Sequence, residues 1–279
     1  MTAIRLSLLS TTHLSDFMNK IKELLSESFG DSVTYLDFLE KIGYLRSEEA
    51  FAIFNKDRPV SVLFVKKYPL NLASRTGWAD YIFYAATSPE HRGKGLMGEL
   101  ISETVSKLKT RGGDCAILIP AEKSLFDYYS RFGFTTAFYV EQKEFLPINN
   151  GKKIYIPSET EAKKFYPKYF DTFGTRVNTV YKSEELFYQS VAENLFDNTF
   201  SGVLTDGNSF AFASFGEKII LREPVSDDIQ SFAKAVAFNY GKPVTVSLPT
   251  ENREKPLGMI FPYNGKTDFP PLYMDNMLN

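Results

Sequence analysis

Between Tyr81 and Lys109 the chain passes from strand to loop to helix, and no other stretch limits its fold so tightly. Tyr81-Ile-Phe-Tyr-Ala-Ala86 is an apolar and aromatic run that reads as a buried strand. Residues 87–97 form a basic loop with glycines at 93 and 95. From Gly98 to Lys109, Leu100, Ile101, Thr104, Val105 and Leu108 recur at helical spacing. This order aims backbone N–H groups and the positive end of a helix dipole at whatever lies above the loop. No Asp or Glu lies between Arg92 and Gly98 to occupy those donors. The segment reads as a site for an anion, a phosphate or pyrophosphate above all.

Three glycine loops compete for the pattern. A mononucleotide P-loop is excluded, because Lys94 precedes Gly95 and no Ser or Thr follows it. The dinucleotide fingerprint matches by letters at Gly93, Gly95 and Gly98, but it belongs to a first βα unit, and this loop sits a third of the way along the chain. An ordinary strand-to-helix turn with glycines chosen for positive φ is the third reading.

Ser88-Pro-Glu-His-Arg-Gly-Lys-Gly-Leu-Met97 resembles the acyl-CoA pyrophosphate loop of the GNAT N-acetyltransferase superfamily, [Q/R]-x-x-G-x-[G/A]. Its glycine positions fall on Gly93 and Gly95, while Glu90 stands in the leading Gln/Arg slot, a departure from the pattern. Leu125-Phe-Asp-Tyr-Tyr-Ser-Arg-Phe-Gly-Phe134 resembles the family's F-Y-x-x-x-G-F segment at the proper distance downstream. The resemblance implies an α/β (α+β) GNAT fold, a mixed central sheet flanked by helices, with acetyl-CoA as co-substrate and no metal. It implies pantetheine against the backbone of Ala85, Ala86 and Thr87. The pyrophosphate would lie on Arg92, Gly93, Lys94, Gly95, Leu96 and Met97. Tyr129 takes the family's tyrosine slot, the general acid for the departing thiolate; an ordinary phenol, with a pKa near 10, is protonated at neutral pH. Many relatives carry a carboxylate on the strand before the loop. Here that slot holds Tyr81, and the pleat turns its neighbour Asp80 to the opposite face. Tyr81 and Asp80 are therefore the acceptor-side candidates, and proton removal through water stays open.

The remaining sequence divides at Phe145-Leu-Pro-Ile-Asn-Asn-Gly151, whose Pro, Asn and Gly content suits a linker. Residues 1–146 are expected to form the acetyl-CoA-binding domain, and 152–279 a degenerate GNAT-like repeat. In the first part, helices are expected over Leu14 to Phe29 and Ser32 to Tyr44, with Asp31 or Ser32 as the second N-cap. Strands are expected at Ile4 to Leu9, Ala50 to Phe54, Val60 to Lys66, Trp78 to Ala86, around Cys115 and near Thr135 to Phe145. The second part repeats the outline. Helices at Glu159 to Thr172, Ser183 to Asp197 and Asp227 to Asn239 alternate with strands, the last at Leu272 to Met277. In place of the glycine loop stands Glu223-Pro-Val-Ser-Asp-Asp228, whose two carboxylates at a helix start would repel a phosphate. A plain α/β cap is the alternative for this half. The pairing resembles tandem acetyltransferases of the enhanced intracellular survival type. Those carry a third domain and use a terminal carboxylate, a role not carried over to Asn279.

Charge and composition bound the partners. A net charge of −2 gives nucleic acid no electrostatic footing. No apolar run is long enough for a membrane span, and no small-residue cleavage site marks a signal peptide. His13, His91 and the single Cys115 cannot build a zinc site of the usual kind. One cysteine also excludes an internal disulfide and suits a reducing cytoplasm. The expected acceptor is a small-molecule amine, with a protein N-terminus or lysine second. The competing reading from another class is a non-catalytic acyl-CoA-binding protein whose second half docks a partner.

Overall fold

The computed structural model describes residues 3–5, 11–263 and 272–274, and the chain divides into two compact units. One gathers Met1–Tyr68, Gly77–Thr136 and Gly258–Asp268. The other gathers Pro69–Thr76, Ala137–Leu257 and Phe269–Asn279.

The chain opens with β1 (Ala3–Arg5), α1 (Thr11–Phe29) and α2 (Val33–Lys41), then β2 (Ala50–Asn55), β3 (Arg58–Leu72) and β4 (Arg75–Thr87). Next come α3 (Leu96–Lys109), β5 (Cys115–Leu118), α4 (Lys123–Ser130) and β6 (Thr135–Phe145). The later part holds α5 (Glu159–Lys163), α6 (Tyr166–Tyr169), β7 (Thr179–Val180), α7 (Glu184–Asn194), β8 (Ser201–Thr205) and β9 (Phe210–Phe215). It ends with β10 (Ile219–Val225), α8 (Ile229–Tyr240), β11 (Val244–Pro249) and β12 (Pro256–Pro262). No helix among the described residues is long and apolar enough to cross a membrane.

In the first unit the strands run β1-β2-β3-β4-β5-β12. The Ser32 hydroxyl caps α2 by accepting from the Tyr35 N–H at 3.1 Å. Buried Lys22 of α1 clasps α2 through Asp37 and Glu40 at 2.6 and 2.7 Å. Helix α3 presents Leu96, Leu100, Ile101, Thr104, Val105 and Leu108 to the core, the stripe that its spacing predicts. Each such aliphatic side chain contributes about 1.5–3 kcal/mol on full burial.

Strand β12 was not legible. Pro256-Leu-Gly-Met-Ile-Phe-Pro262 is bounded by prolines that read as turn signals, yet Met259–Pro262 pair antiparallel with Leu118–Cys115 of β5. The prolines sit at the strand's two ends, where a missing N–H is tolerated. The expected terminal strand at Leu272 to Met277 is not found where it is described. Leu272–Met274 hold an isolated bridge, Tyr273 to Thr179, and 275–277 lie outside the described residues. The described part of the expected Ile4–Leu9 strand is the end of β1, and 6–9 also lie outside.

In the second unit the order is β6-β11-β10-β9-β8, with β6 antiparallel to β11 from Val140 to Phe145. The helix expected over Glu159 to Thr172 breaks into α5, α6 and a wide turn at Phe170–Gly174, with Pro167 in the first turn of α6. The repeat itself is clear. Strands β8, β9 and β10 form an antiparallel meander, and α8 returns the chain to β11, parallel to β10 over Ile219↔Val244 to Leu221↔Val246. Strands β2, β3 and β4, then α3 and parallel β5, follow the same course in the first unit. The second unit thus repeats the strand–helix course of the first, with Glu223-Pro-Val-Ser-Asp-Asp228 where the first has its glycine loop.

The β5 edge needs β12, so a fragment of residues 1–146 is expected not to fold. Circular dichroism with thermal melting checks this; a cooperative transition in the fragment like that of the whole chain would contradict it.

Candidate functional site

Strands β4 and β5 are paired at Ala79↔Cys115, Asp80↔Ala116 and Tyr81↔Ile117. Three residues further, Tyr84 takes φ +48°, a left-handed value uncommon for a bulky side chain and costing about 1–3 kcal/mol. Its hydroxyl donates to Asp31 Oδ2 at 2.7 Å, and its ring meets Phe29 edge-on with centroids 5.2 Å apart. These two contacts, both from the turn between α1 and α2, hold the kink. Sequence reasoning missed Tyr84 and its Asp31 partner. Asp31 was weighed as an N-cap, a role that Ser32 takes, and nothing in a run of aromatic residues marks which one will turn left-handed.

Beyond the kink the strand end is braced by Ser61. Its hydroxyl donates to the Ala86 carbonyl at 3.3 Å and lies 2.9 Å from the Thr87 hydroxyl. The loop then folds on itself: Arg92 Nε donates to the Thr87 carbonyl at 3.0 Å, and Ser88 Oγ lies 2.9 Å from His91 Nδ1. Gly93 and Gly95 follow at φ +73° and +78°. A side chain at either would be strained by about 1–2 kcal/mol, and a Cβ there would meet nothing within 4 Å. Gly95 is the N-cap of α3, and no side chain caps that helix. Gly98, the third glycine of the dinucleotide pattern, serves packing instead, since a Cβ there would fall 2.7 Å from the Phe132 ring.

The equivalent helix of the second unit contrasts with it. Asp228 caps α8, accepting from the Ser231 N–H at 2.9 Å, so a carboxylate already takes the anion's place. Glu223, also left-handed at φ +46°, pairs with Lys182 at 2.6 Å, both buried.

Of the predicted site residues, Arg92, Gly93, Lys94 and Gly95 are exposed together on the loop, while Ala85 and Thr87 are half-buried and Ala86 is buried. The side chains of Leu96 and Met97 turn into the core, which leaves their backbone for the loop's work. Tyr129 is the buried residue of α4, 9% exposed, and burial with Tyr128 beside it pushes its phenol up to about 12. Tyr81 is buried as well, its phenol raised by burial with Tyr129 adding to the effect, so the two phenols are electrostatic neighbours. Asp80 goes elsewhere: its carboxylate accepts from the Tyr263 hydroxyl at 2.7 Å. Among the described residues no His, Cys, Asp or Glu group of three is placed to hold a metal ion.

Residues 12–137 match the family described as acetyltransferase (GNAT) domain. No curated protein sequence matches the chain. Three of the solved structures that resemble it are as follows. One, a conserved protein of unknown function from Enterococcus faecalis V583 described as a probable N-acyltransferase, has a TM-score of 0.68 at 12% identity, covering 89% of this chain and 71% of that one. A GCN5-related N-acetyltransferase from Anabaena variabilis has a TM-score of 0.68 at 15% identity, covering 94% and 73%. Eis1 from Mycobacterium abscessus has a TM-score of 0.59 at 11% identity, covering 90% and 72%. At these identities the likeness is one of fold.

Burial raises the Asp80 carboxyl above its ordinary value, against the opposing pull of Tyr263, Arg111 and Lys67. The folded state thus holds this proton to higher pH than the unfolded chain, so the stability linked to it is full below about pH 4 and falls as pH rises through the folded value. Asp80→Asn keeps an acceptor for Tyr263 and is expected to flatten that fall. Melting temperatures of both proteins from pH 4 to 8 check it; parallel curves would contradict the assignment.

Proposed function

We propose that this chain, whose residues 12–137 match the GNAT acetyltransferase domain family, transfers the acetyl group of acetyl-CoA to a primary amine by direct attack in a ternary complex. The observation that carries this reading is the uncapped start of α3 behind two left-handed glycines, with open space above them. Backbone donors from Gly93 to Met97 suit a pyrophosphate, the Arg92 N–H donating instead to the Pro89 carbonyl at 3.3 Å. The exposed Arg92 and Lys94 side chains add charge of the right sign. Where β4 leaves β5, the backbone of Ala85, Ala86 and Thr87 suits the pantetheine arm and can polarise the thioester carbonyl.

The amine nitrogen bonds to the thioester carbon, the carbon–sulfur bond breaks, and the sulfur leaves carrying the electron pair. Tyr129 donates its hydroxyl proton to that sulfur and regains one from solvent. A phenol with a pKa of about 12 is protonated throughout the working range, so the donor form is lost only as pH rises through that value. The amine's surplus proton leaves through water, because the Asp80 carboxylate is engaged by Tyr263. On the acceptor side, Asp31 supplies negative charge beside the exposed Phe29 and Val33. That combination suits a small-molecule cationic amine with an apolar flank, ahead of a protein N-terminus or lysine.

Calorimetry with acetyl-CoA is expected to show micromolar binding, weakened at least tenfold when Gly93 and Gly95 are both changed to valine. Equal binding by the folded double variant would remove the loop from the site. Tyr129→Phe should lower turnover at least tenfold while keeping acetyl-CoA affinity within about threefold. Unchanged turnover would end its role as acid. The wild-type rate is also expected to show no alkaline decline owed to Tyr129 up to pH 10, which a pH–rate profile with Tyr129→Phe as control checks.

A further inference from the structure

A proton that leaves the attacking amine through water needs a group to receive it. Most carboxylates around the glycine loop are unsuited. Asp80 is buried and accepts from the Tyr263 hydroxyl at 2.7 Å. Glu90 and Glu99 flank the loop itself, where the pyrophosphate is proposed. Asp31 differs from all three. It stands half-buried in the turn between α1 and α2, and its Oδ2 accepts from the Tyr84 hydroxyl at 2.7 Å. Among the described residues no cation pairs with it, and no donor reaches its Oδ1. Two residues to either side, Phe29 and Val33 are 48% and 49% exposed, so the surroundings are open to solvent and to a ligand.

Tyr84 ties this carboxylate to the strand end. It is the only residue of β4 with a left-handed φ, and it directly precedes Ala85, where the backbone proposed for the thioester begins. Strain of about 1–3 kcal/mol at such a residue points to a function. The second unit supplies the contrast. There the kink in β10 falls at Glu223, φ +46°, whose buried carboxylate is neutralised by Lys182 at 2.6 Å. Both kinks therefore carry a carboxylate, one on its own side chain and one through the Tyr84 hydroxyl. The carboxylate ahead of the glycine loop is the one with no cation beside it among the described residues.

We propose that Asp31 is the group that receives the amine's proton, through one water. The inference rests on the acetyltransferase reading, which sets the thioester carbonyl against the Ala85–Thr87 backbone. A nitrogen that has bonded to the carbonyl carbon carries one proton too many. That proton passes to a bridging water, which gives one of its own to Asp31 Oδ1, a reach within the range of a general base. The carboxyl then releases it to solvent. Tyr129 supplies the separate proton that the sulfur takes, so protons and charge balance over the cycle.

The test is steady-state acetyl transfer by the whole chain to benzylamine, phenethylamine and cadaverine, with the best acceptor carried forward. Asp31→Asn keeps an acceptor for the Tyr84 hydroxyl and removes the base. It is expected to lower kcat about 100-fold while KM for the amine stays within about threefold. Added formate, which replaces the missing carboxylate, should raise the Asp31→Ala rate at least tenfold and leave wild type unchanged. A merely structural role would give no such rescue. An unchanged kcat in Asp31→Asn overturns the inference. So does a loss confined to KM, which would leave Asp31 a binding group, and so does a folded Asp31→Ala that formate does not restore. If Asp31→Ala does not fold, Asp31→Asn decides. A wild type that acetylates none of the three amines overturns the acetyltransferase reading itself, a different result from turnover that survives Asp31→Asn.

Discussion

A strand that is to share its backbone with a ligand must first leave its neighbour. Strand β4 does so after Tyr81, where its ladder with β5 ends, and the proposed site lies beyond that departure. The turn is made by Tyr84 at φ +48°, a conformation that isolated tyrosine disfavours. It persists because Asp31 and Phe29, brought in by the turn between α1 and α2, hold the phenol and the ring. The strain is local, the restraint is tertiary, and the product is a half-buried strand end leading directly into the exposed glycine loop. Gly93 and Gly95 follow with open space beside them.

The repeat shows how the same frame is put to different use. Strand β10 also turns left-handed, at Glu223, and α8 also follows. Here, however, the chain fills its own site. Asp228 takes the helix donors, and Lys182 with Glu223 forms a buried ion pair. Removing one partner of such a buried pair costs about 3–5 kcal/mol. Where the first unit has a glycine loop, this half thus has side chains that occupy the equivalent positions.

How much of this was legible in the sequence depends on the range of the interaction. Residues 81–134 carried the fold and the loop because their signals are local: an apolar run, glycines at fixed spacing, a helical stripe. Ser32 was readable as a cap for the same reason. The partners of Tyr84 and Asp80 were not, since Asp31 lies 53 residues away and Tyr263 183 residues away. Strand β12 was hidden twice over, by its prolines and by a partner, β5, that lies far up the chain. A contiguous reading also cannot express a compact unit that takes in Gly258–Asp268 after leaving the chain at Thr136.

That interruption has a consequence for how the protein is made. On the ribosome, β5 emerges long before the strand that covers its edge, with roughly 120 residues still to be added between Thr136 and Gly258. At about 5–20 residues per second the delay is roughly 6–24 s, far longer than a hairpin or helix needs to form. For that interval the nascent chain presents an open β-edge, Cys115-Ala-Ile-Leu118, with no charged residue to discourage pairing with another strand. The glycine loop is thus synthesised early but rests on a sheet completed late, and that edge is open to pairing while translation continues.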